Sequence, residues 1–446
     1  MTGGTMPSGL RVVAVADADS FVKWAAALLD SVPQTDSRIV LVRTPLTVSA
    51  GQEQAALDGT RFSSDDVTRL PFAALAGWLS RERPDVVVIA GKGPLVRLVM
   101  REIDRVHPRP VVVTGLPGIS IPAQRGAVTY RRETDLFLVH SHREERAFRE
   151  LAGRLGADIR IGLARLPFAA PRPRQATGRD AAGTDLVFAA QALVPLTTAD
   201  RVVVADMLRD AALAHPERRV VVKLRSRAGE NETHYDRASY EGLLRDRPAN
   251  LVFSYQPMRT ALASAEGLVT VSSTAAVEAI ALGVPVIALD TFGVSKENLN
   301  TVFRGSGLFG DADAVIARRF RHPAPGWLTQ NYFHDAEDAT WWDDVAELVA
   351  QRRAGRLPAR VQPARTGGAL RVAWERKTVL GHEDRSLAGI VALAVGIPLR
   401  TAILVRRWLK GNRGADSWAD PTTDITVTPA VRQEPLLRRR PVGVDG

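Results

Sequence analysis

The sequence predicts an α/β protein made of two doubly wound halves. Three observations carry that expectation. Short apolar runs such as RVVAVA at Arg11–Ala16 and DVVVIA at Asp85–Ala90 show no alternation, which is the pattern of parallel strands covered on both faces. Helical patterns lie between them, so strand and helix alternate along the chain. The rhythm stops at residues 167–183, PFAAPRPRQATGRDAAG, a stretch rich in Pro, Gly and Arg without periodicity, and then begins again.

The length, 446 residues, exceeds what one compact core serves, and a hydrophobic content of 45% is ample for two. In the first half, Arg11–Ala16 reads as a buried strand followed by a helix around Phe21–Leu29. Arg38–Val42, Asp85–Ala90, Pro110–Thr114 and Leu136–His140 read as further strands, and the charged stretch Arg143–Leu155 as a helix. The second half has strands at Asp185–Ala189, Arg219–Lys223, Leu251–Ser254, Leu268–Val271 and Val284–Leu289. Its helices fall at Thr198–Ala214, Tyr235–Asp246, Met258–Ala265 and Thr274–Leu282. Past residue 330, Trp341, Trp342, Val345, Leu348 and Val349 recur at helical spacing. The expected organisation is a first half at 1–166, a linker at 167–183, a second half at 184–330, a closing helix within 331–356 and a tail at 357–446.

The net charge of +10 is concentrated in the tail, where residues 352–446 hold 18 Lys+Arg against 8 Asp+Glu. A neutral body with a basic tail argues against nucleic acid gripped by the main domains and for an anionic surface as the tail's partner. The other reading of this charge is an Arg-rich composition overall. Within the tail, Leu387–Leu399 is the longest uncharged run, short of the roughly 20 residues a spanning helix needs. Arg406, Arg407, Trp408 and Lys410 flank it. An amphipathic helix over 387–410 is expected, either lying on a membrane surface or packed on the body, and the residues after 411 read as disordered. The absence of cysteine excludes disulfides, thiolate zinc sites and cysteine nucleophiles, and fits a reducing compartment. Met1–Leu10 lacks the charged start and apolar stretch of a signal peptide, so a cytoplasmic location is expected.

The stretch richest in chemistry is GLVTVSSTAAVEAIALGVPVIAL, Gly267–Leu289. A strand ends at Val271, and Ser272, Ser273 and Thr274 lead into a helix, where hydroxyls and backbone N–H groups favour an anion. Glu278, one turn on, can accept hydrogen bonds from vicinal hydroxyls such as those of a ribose. An ordinary strand–helix–strand unit with capping hydroxyls gives the same letters. Lys223 and Arg225 alternate at the end of an earlier strand, and both point toward the sheet edge where ligands of open α/β sheets bind. Two cations there stabilise a phosphate leaving group; a solvated loop, or pairing with Glu230 or Glu232, is the alternative. In FSYQPM, Phe253–Met258, Tyr255 and Met258 have the chemistry to sandwich a base, or else they are core.

The order Lys-x-Arg after a strand, then a Pro-Met loop, then SST-x-x-x-E-A-x-x-x-G-x-P-V-I resembles the C-terminal domain of GT-B-fold glycosyltransferases. It is most similar to the bacterial surface-polysaccharide and teichoic-acid-type transferases and to uncharacterised actinobacterial glycosyltransferases. The resemblance covers roughly residues 185–300 and extends to the first half by architecture only. It implies two Rossmann-like domains facing a cleft. It also implies donor phosphates on Lys223, Arg225, Ser272, Ser273 and Thr274, a ribose on Glu278 and a nucleobase near Tyr255 and Met258. Arg225 stands where those families commonly have His.

The implied activity moves a sugar, or a polyol phosphate, from a nucleotide-activated donor to a cell-envelope glycan or lipid-linked acceptor at the inner membrane face. A nucleotide-sugar epimerase of the same fold and a non-catalytic binding protein are the alternatives. The first half would supply acceptor contacts and a base. Asp17 and Asp19 follow its first strand, and Asp19 is the candidate base, with helix capping as its other role. Gly91-Lys92-Gly93, Gly115-Leu116-Pro117-Gly118, His140 and His142 also follow strands. Asp17-x-Asp19 lacks a second ligand set, so neither a metal nor another cofactor is expected.

Overall fold

A computed structural model describes residues 9–46, 48–169, 183–192, 194–224, 239–358 and 368–409. Arg225, the linker beyond Ala169, the start of the expected helix at Tyr235 and the tail end after 409 lie outside the described residues.

Residues 11–163 build a seven-stranded sheet. Its strands are β1 (Arg11–Ala16), β2 (Asp36–Arg43), β3 (Val67–Pro71), β4 (Val86–Ala90), β5 (Val111–Gly115), β6 (Leu136–Val139) and β7 (Ile161–Leu163). Their order is β3-β2-β1-β4-β5-β6-β7, and every pairing is parallel. Residues 185–310 build a second all-parallel sheet of β8 (Asp185–Ala189), β9 (Val220–Lys223), β10 (Leu251–Ser254), β11 (Ala265–Thr270), β12 (Val286–Leu289) and β13 (Phe309–Gly310). Its order is β10-β9-β8-β11-β12-β13. In each sheet the chain starts centrally, winds outward to one side, and returns to wind outward on the other. That reversal opens a crevice at the carboxyl ends of the central strands.

The apolar runs behave as their composition requires. β4 and β8 are buried at every position because helices cover both faces. The helix Asp19–Asp30 buries Phe21, Val22, Trp24, Ala25, Ala26, Leu28 and Leu29 against the first sheet. The helix Trp341–Arg353 follows the second sheet in sequence yet packs on the first, with Trp341, Val345, Leu348 and Val349 in the core formed by β1, β4 and β5. Another core runs through both halves. It joins Phe137, Phe148 and Leu163 of the first to Val187, Leu268 and Val277 of the second, and includes Val302, Phe303 and Trp327.

The helix Leu387–Leu409 forms as its sequence suggests, with Pro398 inside it. Trp374 of the preceding helix, Gly368–Leu380, packs so closely on Gly396 that no side chain fits there. That preceding helix is fixed to the first half by ion pairs of Glu375 with Arg97 and Arg101. The opposite face of Leu387–Leu409 exposes Leu387, Ile390, Val391, Val395 and Ile397. Among the described residues, no helix is long and apolar enough to cross a membrane.

Candidate functional site

The two sheets present their carboxyl ends to each other. After β11, Val271–Thr274 turns into the short helix Ala275–Ala281. After β5, the loop Gly115–Gly118 reaches the same place, and a Cβ on Gly118 would lie 2.7 Å from Thr274 Oγ1. Only glycine lets the first half's backbone come this close to the hydroxyl turn of the second. An ion pair crosses the same junction, Lys23 Nζ to Glu278 Oε1 at 2.9 Å. Asp19 and Lys23 stand four residues apart and so share a face of the helix Asp19–Asp30.

The hydroxyl turn is knitted internally. Gln191, in the loop after β8, accepts from the Ser272 N–H at 2.9 Å and donates to Ser272 Oγ at 3.2 Å. Thr270 Oγ1 accepts from the Ser273 N–H, and Ser273 Oγ from the Ala275 N–H. Three of the N–H groups that the sequence assigned to an anion are thus satisfied by side chains, and Thr274 makes no side-chain cap. The sequence reading missed Gln191, since one amide in an unpatterned loop carries no signal of its own.

Lys223 closes β9, and Ala189 beside it closes β8. The ammonium donates to the Leu224 carbonyl, and the residue is almost wholly buried. Tyr255 donates to a Glu241 carboxylate, while Met258 packs on the core that runs through both halves. Glu278 is engaged by Lys23, a partner the sequence did not suggest.

On the first half, β1 and β4 are neighbours, with Ala16 opposite Ala90, so Asp17 and Lys92 emerge side by side. Asp17 is buried and its Oδ1 has no hydrogen-bond partner. Burial pushes its carboxyl up to about 6, and the charge of Lys92 offsets part of that effect. Asp19 is the first residue of its helix, half-buried. Arg131 donates to the Gly91 carbonyl at 2.9 Å from a fully enclosed position, and desolvation brings its guanidinium down to about 10.

His140 is a structural histidine. Its Nε2 accepts from the Trp24 indole N–H at 2.8 Å, so its Nδ1 carries the proton and donates to the Ala164 carbonyl at 3.0 Å. Burial holds it below the ordinary imidazole range. The contact fixes the helix bearing Asp19 and Lys23 against β6. Four residues on, Glu144 is buried and accepts from the backbone N–H groups of Ser120 and His140 and from the Tyr332 hydroxyl. Arg143 donates to the carbonyls of Thr301 and Val302 in the second half. The start of the helix His142–Arg154 is therefore where the halves are bolted together.

The chain is similar to several solved structures. TcCGT1 in complex with UDP matches 77% of this chain and 95% of its own length, with a TM-score of 0.46 and 11% identity. MnaA of S. aureus, in a co-structure with UDP, matches 79% and 100%, with a TM-score of 0.49 and 9% identity. A UDP-glucosyltransferase from Polygonum tinctorium matches 78% and 95%, with a TM-score of 0.42 and 13% identity. No curated protein matches the sequence. A family pattern does match, over residues 12–348 and hence over both sheets and most of the closing helix, and by it the chain belongs to the family described as "Putative glycosyltransferase (DUF6716)".

Proposed function

We propose that this chain is a nucleotide-sugar-dependent transferase. It moves a sugar, or a polyol phosphate, to a cell-envelope glycan or lipid-linked acceptor, with the donor nucleotide on the second half. The observation that carries this reading is the meeting of two unlike edges. Lys23, on the helix that begins at Asp19, pairs with Glu278, and Gly118 approaches Thr274. In this reading Lys223 and the Ser272–Thr274 turn supply cationic and hydroxyl groups on one side, and Asp17 and Asp19 carboxyl groups on the other. In sugar transfer, an acceptor oxygen attacks the donor's anomeric carbon as the bond from that carbon to the nucleotide's phosphate oxygen breaks. In polyol-phosphate transfer it attacks the polyol's phosphorus as the P–O bond to the nucleotide breaks. The acceptor proton passes to a carboxylate, and the nucleotide leaves as its phosphate.

Lys223, Arg225, Ser272, Ser273 and Thr274 are the phosphate contacts in this reading, Glu278 the ribose contact once released from Lys23, and Tyr255 and Met258 the base contacts. Asp19 is the candidate base from sequence. Asp17 is a second candidate, favoured by its unpartnered Oδ1 and raised pKa. The family membership and the glycine-permitted approach of Gly118 to Thr274 both support a shared site.

Calorimetry with UDP, CDP, CMP and GDP tests the donor half. One of them is expected to bind, and Lys223→Ala to weaken it by about 10–100-fold, the worth of a charged hydrogen bond. Absence of binding by all four would sink both the transferase reading and the epimerase alternative. The membrane-surface role of the tail is part of the same proposal, supported by the exposed apolar face of Leu387–Leu409.

A further inference from the structure

We infer that His142, His334 and Asp338 form a site for a zinc-type divalent metal ion at the bolt between the two halves. The inference does not depend on the transferase reading. His142 begins the helix after β6, whereas His334 and Asp338 lie 192 and 196 residues further on, in the segment returning from the second half to the closing helix. One donor atom from each lies within 4.8 Å of the other two. His142 Nε2 and Asp338 Oδ2 are 3.0 Å apart, close to the spacing of two ligands on one tetrahedral ion. Two imidazoles and one carboxylate are a zinc donor set, with a fourth position for water.

A second observation singles out His334. Its ring is buried, its Nδ1 faces the Asp335 carbonyl at 3.1 Å, and its Nε2 is enclosed without any hydrogen-bond partner. An enclosed imidazole nitrogen with nothing to bond is costly, and a metal bond removes that cost. A carbonyl on one ring nitrogen is also the usual device that fixes the other as a metal donor. At His142, Glu145 Oε2 stands 3.8 Å from Nδ1, longer than a hydrogen bond, while Nε2 faces Asp338. Glu145 sets one more carboxylate beside His142, and Arg165 is the cation that acts on His334. The sequence alone hides this trio because its members meet only through the fold.

The test uses the full chain, stripped with a chelator and titrated calorimetrically with zinc chloride. Cobalt chloride serves as a spectroscopic probe and magnesium chloride as the oxygen-preferring control. One equivalent of zinc should bind and raise the melting temperature. Cobalt should give the intense visible absorption of a tetrahedral site, and magnesium should do neither. His142→Ala and Asp338→Asn, whose side chains reach the surface, should each weaken zinc by about 100-fold or more. Glu145→Gln should do so by about 10-fold. His334→Ala should abolish binding if circular dichroism shows it folded. No saturable zinc binding, or binding unchanged in both His142→Ala and Asp338→Asn, overturns the inference.

Discussion

The carboxyl of Asp17 is held protonated by burial at a pH where an exposed aspartate is charged. Its native value is about 6, against 3.8 for the unfolded group. Between those values the native state binds the extra proton, so this residue's contribution to stability falls as pH rises from 3.8 to 6 and is constant above. The whole difference is on the order of 3 kcal/mol. If Asp17 takes the acceptor proton, turnover should rise with pH through about 6, and Asp17→Asn should remove that limb and most of the rate. If Asp19→Asn does this instead, Asp19 is the base. A second residue-scale expectation concerns Trp24. Trp24→Phe leaves the buried His140 Nε2 unpaired, and chemical denaturation should show a loss of about 1–3 kcal/mol. Sequence reading reached Asp17, Asp19 and His140 as residues at strand ends. It had no means to separate a buried orphan carboxyl from a helix residue, or a histidine bonded at both nitrogens from a reactive one. Those distinctions depend on Trp24, Lys92 and Ala164, which arrive from other elements.

At the scale of elements, the strands that carried a continuous apolar run were legible, because a strand covered on both faces needs little else. Arg11–Ala16, Asp185–Ala189 and Leu251–Ser254 match to the residue. The strands Val67–Pro71, Ile161–Leu163 and Phe309–Gly310 escaped notice. They are short edge or near-edge strands that take their order from a neighbour's backbone, and the residues of β3 alternate in exposure. The expected helix over Tyr235–Asp246 is, where described, a single turn at Tyr240–Leu243. The contact between the Gly115–Gly118 loop and the hydroxyl turn gives a sharp element-scale test. Gly118→Ala should destabilise by about 1–3 kcal/mol through overpacking on Thr274. Adding Thr274→Ala should recover most of that loss, giving a coupling of opposite sign in a double-mutant cycle. The helix Leu387–Leu409 invites another. Liposomes with anionic lipid should pellet the full chain and not a chain ended after residue 380. Equal pelleting would sink the membrane-surface role.

For the whole molecule, stability is shared between the halves through Glu144 and the core that crosses them. Glu144→Ala leaves the Tyr332 hydroxyl and two backbone N–H groups buried without an acceptor. At about 1–3 kcal/mol for each donor, it should cost at least 3 kcal/mol. Calorimetry is expected to show one transition in the parent chain and two, one per sheet, in the variant. The sequence showed two α/β runs on either side of residues 167–183, and an apolar helical stripe after residue 330. It did not expose that the closing helix belongs to the first half's core, since an apolar stripe does not name the surface it covers.

That closing helix has a mechanical consequence. Because Trp341–Arg353 seats on the sheet where the chain began, the polypeptide passes between the halves twice, once between β7 and β8 and once between β13 and this helix. Two bodies joined by a single strand can swivel about it in any direction. Two passages restrain the swivel and favour a bend about the line that joins them, as a door moves on two pins, and the core shared by the halves must yield for that bend to occur. Any opening of the junction between Gly118 and Thr274 is then a one-dimensional swing. Its amplitude can be followed by a single distance, such as that between labels placed on the far ends of the two sheets.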